Sequence, residues 1–159
     1  MQILDIVEGT TVDGPGLRTS IYVAGCRHKC EGCHNPQSWD FNAGNAMTDD
    51  DILEVINRNG FNVTLSGGDP MYHPEDVARL CRRIKLELHK NIWLYTGFRW
   101  EDICDKPEYA EILSHIDVIV DGPFILSRRD ISLRFRGSGN QRIIDVQKSL
   151  SQDKIVLYE

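Results

Sequence analysis

Apolar positions along the chain fall into two alternating rhythms. Thr19–Gly25, TSIYVAG, is rich in β-branched and aromatic residues and follows the glycines of DGPG, which predicts a strand. A long polar loop leads to TDDDILEVINRNG, a predicted helix. There Thr48 suits an N-cap with Asp51 three residues on, Ile52, Val55 and Ile56 share one face, and Gly60 marks the end. Phe61–Ser66 returns to strand. In HPEDVARLCRRIKLELHK, Val77, Leu80, Cys81, Ile84 and Leu88 form one stripe behind Pro74, a residue suited to a first helical turn. Asn91–Thr96 and Ile116–Asp121 read as further strands, with one or two helical stretches between Trp100 and Leu113. Two shorter strands are expected near Arg142–Val146 and Lys154–Tyr158.

Strands separated by helices imply right-handed crossovers and a parallel sheet. A strand–helix unit takes about 30 residues, so 159 residues cannot hold eight of them. The expected fold class is therefore α/β, an incomplete, open (β/α) barrel with a mostly parallel sheet. A single domain is expected over residues 1–159, with its core in about 5–125 and an arginine-rich tail in 126–159. Parallel sheets bind ligands at the carboxyl ends of their strands. Here the first strand runs into Cys26, the second into SGGDP (Ser66–Pro70), the third into YTG (Tyr95–Gly97) and the fourth into DGPF (Asp121–Phe124). The unusual residues share one rim.

Charge and cysteine content narrow the classes. A net charge of −6 and a pI near 5.3 argue against a binder of nucleic acid or of an anionic membrane. The opening MQILDIVEG lacks the basic and apolar regions of a secretory signal, and no apolar run approaches the roughly 18–20 residues of a membrane span. The expected location is cytoplasmic. In a reducing compartment, clustered cysteines read as metal ligands or catalysts before disulfides, and an odd count of 5 leans the same way.

GCRHKCEGCHNPQSW gathers three of those cysteines and two of the 5 histidines, spaced Cys26-x3-Cys30-x2-Cys33. Such a cluster suits a disulfide with a spare thiol, a zinc site completed by His28 or His34, or a mount that needs a vacancy. Structural zinc wants four ligands. Neighbours such as Cys33 and His34 rarely point at one metal, and there is no second Cys-x2-Cys pair. A cubane iron–sulfur cluster usually takes four thiolates; with three, one iron is free to bind a substrate. Thiolates suit both metals, so ligand number decides between them. Gly67 and Gly68 at a strand end let backbone groups approach a ligand closely.

The triplet after the first strand, with GGDP after the second, resembles the radical S-adenosylmethionine superfamily. The resemblance implies an open barrel of that type and a 4Fe–4S cluster on Cys26, Cys30 and Cys33. It further implies that S-adenosylmethionine chelates the open iron and is cleaved reductively to methionine and a 5′-deoxyadenosyl radical. Gly32, Cys33 and His34 would lie beside the cofactor, with Gly67, Gly68 and Asp69 lining its methionine end. That superfamily often has an aromatic residue just before the third cysteine; Gly32 leaves the adenine contact to others, His34 first among them. Thr96 and Asp121, at strand ends, are candidates to hydrogen-bond cofactor hydroxyl or amino groups.

VDGPGLR (Val12–Arg18) and CHNPQSWD (Cys33–Asp40) resemble activating enzymes of glycyl-radical proteins. IWLYTGF, DVIVDGPF and LRFRGSGNQR (Leu133–Arg142) are similar to the branch that serves the anaerobic ribonucleoside-triphosphate reductase. The likeness runs from about Asp5 to Arg142. It implies that reductase as partner, with an electron donor such as flavodoxin. Arg136 is then expected to meet the partner or the cofactor carboxylate. A carbon radical must be made away from water and meet its C–H bond at close range, and a polypeptide substrate needs an open rim. Rival readings are a pyruvate formate-lyase-type activator, a radical enzyme acting on a small molecule, and a non-catalytic zinc module. Among the remaining residues, Cys81, Trp39 and Trp93 are assigned to packing, His73 to a turn, and Asp13 and Arg18 to the turn before the first strand. Cys104 is not expected to be a cluster ligand.

Overall fold

In the computed structural model, which describes residues 1–159, four parallel strands form the centre of one seven-stranded sheet. They are β2 (Arg18–Val23), β4 (Asn62–Gly67), β5 (Ile92–Tyr95) and β6 (Val118–Asp121), flanked in the sheet by β1 (Gln2–Thr10) and β3 (Asn45–Ala46) on one side and by β7 (Arg142–Asp145) on the other. The order is β3-β1-β2-β4-β5-β6-β7; β1 pairs antiparallel with β2 and β3, and β7 antiparallel with β6. The two outer strands do not pair, so the sheet stays open.

Period-two alternation sorts the strand residues onto two faces. Ile21, Val23, Val63, Leu65, Ile92 and Leu94 point into a main core of 25 buried residues. Against that face pack α1 (Asp49–Asn59), α2 (Pro74–Arg83) and α4 (Pro107–His115), with α3 (Trp100–Ile103) between β5 and α4. The other face aligns Ser20, Thr64, Trp93 and Val118 in register across the strands, and next to them Tyr22 and Ser66. No helix covers that face. Part of it is closed by the C-terminal segment, whose Phe135 and Tyr158 rings meet Trp93 edge-on at 5.5 and 5.2 Å.

Helix ends follow the sequence. Thr48 and Asp51 exchange backbone-to-side-chain bonds of 3.1 Å each, a capping box. Gly60 closes α1 at φ +73°, a left-handed angle that favours glycine. The stripe behind Pro74 is buried from Val77 to Ile84, but α2 ends at Arg83 and the chain continues to Leu88 as a π turn.

Three elements differ from expectation. β1 was not expected, because only Ile3 in it is fully buried and its mixed polar sequence lacks an apolar run. Lys154–Tyr158 makes a single bridge, Leu157 to Ile144, rather than a strand. Between them, Val146–Gln152 forms a helix, α5, whose N-cap Asp145 accepts from Lys148 N at 3.1 Å. Ile144 and Val146 belong to the main core, so part of the expected tail is core structure. No helix is long and apolar enough to cross a membrane.

Candidate cofactor site

The cysteine loop leaves β2 at Gly25 and turns over the carboxyl ends of the parallel strands. Its start is pinned to its own end by Gly25 N–H to Ser38 O at 2.7 Å and Cys26 N–H to Trp39 O at 3.3 Å. It is pinned to the sheet by Gly68 N–H to Val23 O (2.7 Å) and Asp69 N–H to Gly25 O (2.9 Å). Those contacts explain the paired glycines of SGGDP. A Cβ on Gly68 would come within 2.4 Å of Gly25 O, and one on Gly67 within 2.5 Å of Val23 backbone. The glycines admit the neighbouring cysteine loop itself, besides lining the cavity beyond it.

Cys26, Cys30, Cys33 and His34 line one cavity of about 450 Å³ with Gly67, Gly68, Asp69 and Thr96. Its floor is the helix-free face of the sheet, through Tyr22, Ser66 and Tyr95. No three His, Cys, Asp or Glu side chains converge closely enough for a single metal ion. Three thiols spread around a cavity fit instead a cluster in which each binds a different iron. Burial pushes the Cys26 thiol up to about 11, with Asp69 and the other two cysteines adding to it. Cys26 thus favours its neutral thiol until a metal takes the proton's place.

Asp69 is 1% exposed and its carboxylate is fully engaged. Oδ1 accepts from Met71 N–H at 2.9 Å; Oδ2 accepts from Thr96 Oγ1–H at 2.9 Å and Gly97 N–H at 2.8 Å, and lies 2.6 Å from His28 Nε2. His28 is boxed by the Phe98 and Tyr72 rings, at 4.7 and 5.2 Å between centroids. A second histidine, His73, bonds Ala24 O through Nε2 at 2.6 Å. Both histidines therefore hold the cysteine loop rather than face solvent.

Three residues with an expected cofactor role lie outside the cavity lining. Gly32 has φ +75°, and Leu126 packs where its Cβ would be, 2.7 Å away. The left-handed angle favours glycine there over an aromatic residue. Asp121, 0% exposed, accepts from Trp100 N–H at 2.7 Å and from the Arg142 guanidinium at 2.5 and 3.1 Å, bracing β6 to β7 and α3. Arg136 donates to Gln141 O at 2.6 Å.

Other lining residues carried no expected cofactor role. Trp39, assigned to packing, faces the cavity, and so do Asp13, Asn35, Phe124, Gly137 and Gln141. Phe124 stands 5.2 Å from the His34 ring. Gln141 accepts from Gly137 N–H and donates to Gly122 O, at 2.9 and 3.0 Å, stapling the arginine-rich loop to the end of β6. Asp13 meets the Tyr22 hydroxyl, whereas the Tyr95 hydroxyl is buried without a partner. Burial raises the pKa of both phenols.

Known proteins match this sequence. The model of the 4Fe-4S single cluster domain matches residues 12–144. An anaerobic ribonucleoside-triphosphate reductase-activating protein of Haemophilus influenzae is 41% identical over 157 residues, 90% of this chain and 97% of that protein. Its counterpart from Vibrio cholerae is 40% identical over 144 residues (83% and 90%), and that of bacteriophage T4 37% over 139 residues (83% and 86%).

Proposed function

Since the chain belongs to the family of anaerobic ribonucleoside-triphosphate reductase-activating proteins, we propose that it is a radical S-adenosylmethionine enzyme that installs a glycyl radical in such a reductase. The observation that carries this reading is three thiols, and no fourth, around a cavity open at the carboxyl ends of a parallel sheet.

A 4Fe–4S cluster with S-adenosylmethionine bound, once reduced by one electron from a donor protein, would supply the chemistry: reductive cleavage of the sulfonium to methionine and a 5′-deoxyadenosyl radical that would take a hydrogen atom from glycine. The chain's own residues do the rest. Cys26, Cys30 and Cys33 would hold three of its irons. Asp69 and His28 keep their loop against β4 and β5, so that Cys26 and Cys30 do not drift apart. His34 and Phe124, facing each other at 5.2 Å, offer a surface for the adenine. The unpartnered Tyr95 hydroxyl, buried in the cavity floor, is free to hydrogen-bond a polar group of the bound cofactor. The open sheet leaves a path by which a glycine on a second polypeptide reaches the cavity.

The test is made without oxygen. Purified protein should carry close to four irons and four sulfides per chain, and after reduction with dithionite should give a glycyl doublet by electron spin resonance only when S-adenosylmethionine and the reductase are both present. A doublet formed with pyruvate formate-lyase and not with the reductase would reassign the partner. One zinc per chain and no iron would sink the enzyme reading.

A further inference from the structure

Most other arginines on this surface are neutralised by carboxylates; Arg27, stacked over the Phe41 and Tyr72 rings, is not. Arg58 pairs with Glu8, Arg79 with Asp49 and Asp76, Arg82 with Glu111, Arg83 with Asp50 and Glu87, and Arg99 with Asp102. The loop that follows β6 breaks this pattern. Arg128, Arg129, Arg134 and Arg136 make no ion pair with any carboxylate, although the chain carries an excess of acidic residues and a net charge of −6. The only acid among them, Asp130, is exposed and bonds Ser132, accepting from its N–H and hydroxyl at 2.9 and 2.5 Å, with Arg136 near enough to lower its pKa but not to pair with it. Arg134 rests on the Phe135 ring at 4.8 Å. Between the arginines Ile131 is 88% exposed, an apolar side chain with nothing covering it.

The position of this loop gives the charge a direction. Its two ends line the cavity, through Phe124 on one side and Gly137 and Gln141 on the other. Leu126 sits on Gly32 of the cysteine loop. A polypeptide whose residue enters the cavity from this side crosses this loop. On the opposite flank, next to the cavity residue Asp13, Val12 is 69% exposed.

We propose that the loop from Leu126 to Gly139 is the docking surface for an acidic segment of the partner protein, with Arg128, Arg129 and Arg134 meeting its carboxylates and Ile131 an apolar residue among them. This rests on the function proposed above, which makes the partner a reductase bearing the target glycine. Unpaired guanidiniums at a rim steer an acidic partner toward the cavity and fix its register, an effect felt more in association than in stability of the free protein. A helix-bound arginine already tied to a carboxylate cannot do this without breaking its own pair.

The experiment compares the cluster-loaded wild type with the Arg128→Glu/Arg129→Glu/Arg134→Glu protein and with the corresponding triple lysine protein. Affinity for purified reductase is measured at low and high salt. Iron content, melting temperature and reductive cleavage of S-adenosylmethionine without reductase are measured alongside. The glutamate protein is expected to bind at least about tenfold more weakly at low salt, with a flattened salt dependence, while the lysine protein stays within about threefold of wild type. Iron content, melting and partner-free cleavage should match wild type. Should the triple reversal fail to fold, Arg129→Glu and Arg134→Glu singly carry the same comparison. Equal binding of wild type and the charge-reversed protein overturns the surface alone. A wild type that does not bind the reductase at all overturns the functional reading beneath it. Reversal that changes only self-association, or only retention on nucleic acid, shows a different occupant and also overturns the proposal.

Discussion

His28 Nε2 stands 2.6 Å from Asp69 Oδ2, so the residue midway between the first two cysteines is held by a carboxylate just past the end of β4. Thr96 and Gly97, at the end of β5, donate to the same oxygen. One carboxylate thus joins three chain segments. Asp69→Asn keeps the size but puts an amide where His28, Thr96 and Gly97 converge. It is expected to lower stability by about 1–3 kcal/mol and to shorten the time iron stays bound. A urea melt and the iron content after anaerobic gel filtration measure both. Unchanged retention and stability would remove Asp69 from its role as fastener.

Two glycines of left-handed or crowded backbone should respond differently to alanine. At Gly68 the added Cβ meets Gly25 O at 2.4 Å, a backbone atom that cannot swing aside. Gly68→Ala is expected to cost about 2–3 kcal/mol, as overpacking does, and to displace the cysteine loop. Gly60 has φ +73° but open space around it, so Gly60→Ala should cost only about 1 kcal/mol of backbone strain. Denaturant midpoints of the two variants test the ordering. A Gly60 effect as large as that of Gly68 would contradict it.

Arg18 is a buried cation without a carboxylate, 1% exposed, and burial brings its pKa down to about 10. It is held by neutral groups instead: Thr64 Oγ1 and Val63 O at 2.8 Å each, Asn91 Oδ1 at 2.8 Å and Pro15 O at 3.2 Å, under the Trp93 ring. Through Thr64, which donates to Asp13 O at 2.8 Å, it also sets the turn that carries Asp13 to the cavity. A lysine keeps the charge but cannot reach that many acceptors. Arg18→Lys is expected to destabilise by about 2–4 kcal/mol, read from a urea titration. A stability within 0.5 kcal/mol of wild type, about the noise of a surface change, would show that the charge alone matters.

Arg142 bridges buried Asp121 and exposed Glu101, with 2.5 and 2.6 Å contacts. Arg142→Met leaves the Asp121 carboxylate with the Trp100 N–H as its remaining donor. Because Arg142 is itself partly exposed, the loss should fall at about 2–3 kcal/mol, below that of a fully buried pair. Asp121→Asn combined with Arg142→Met should recover part of it, since no buried charge is then left unpaired. Thermal melts of the single and double variants decide the matter.

Much of the frame could be read from residue pattern. Four parallel strands, the capping box at Thr48 and the stripe from Val77 to Ile84 carry strong local signals, and each stands where periodicity put it. β1 could not be read that way. It is held by pairing to β2, the next strand, and to the more distant β3 rather than by an apolar run of its own. The same division holds at the site. Cysteine spacing points to the ligand loop, because ligands must be near in sequence to share a small loop. Phe124 and Gln141 lie in stretches the sequence marks, DGPF and LRFRGSGNQR, but that both line the cavity depends on the chain folding back from the end of β6, which local sequence does not reveal. Asp121 shows the converse: it sits on the expected rim, but a long-range arginine claims its carboxylate.

The unpaired margins of the sheet mean that the cavity has no door of its own. For the chemistry proposed, a guest much larger than 450 Å³ can be served, since a single residue of it needs to go in. The same gap leaves the interior undefended while it waits. Protection then comes from the visitor, whose arrival stops the opening, and a safe turnover is one in which the lid is the thing being modified.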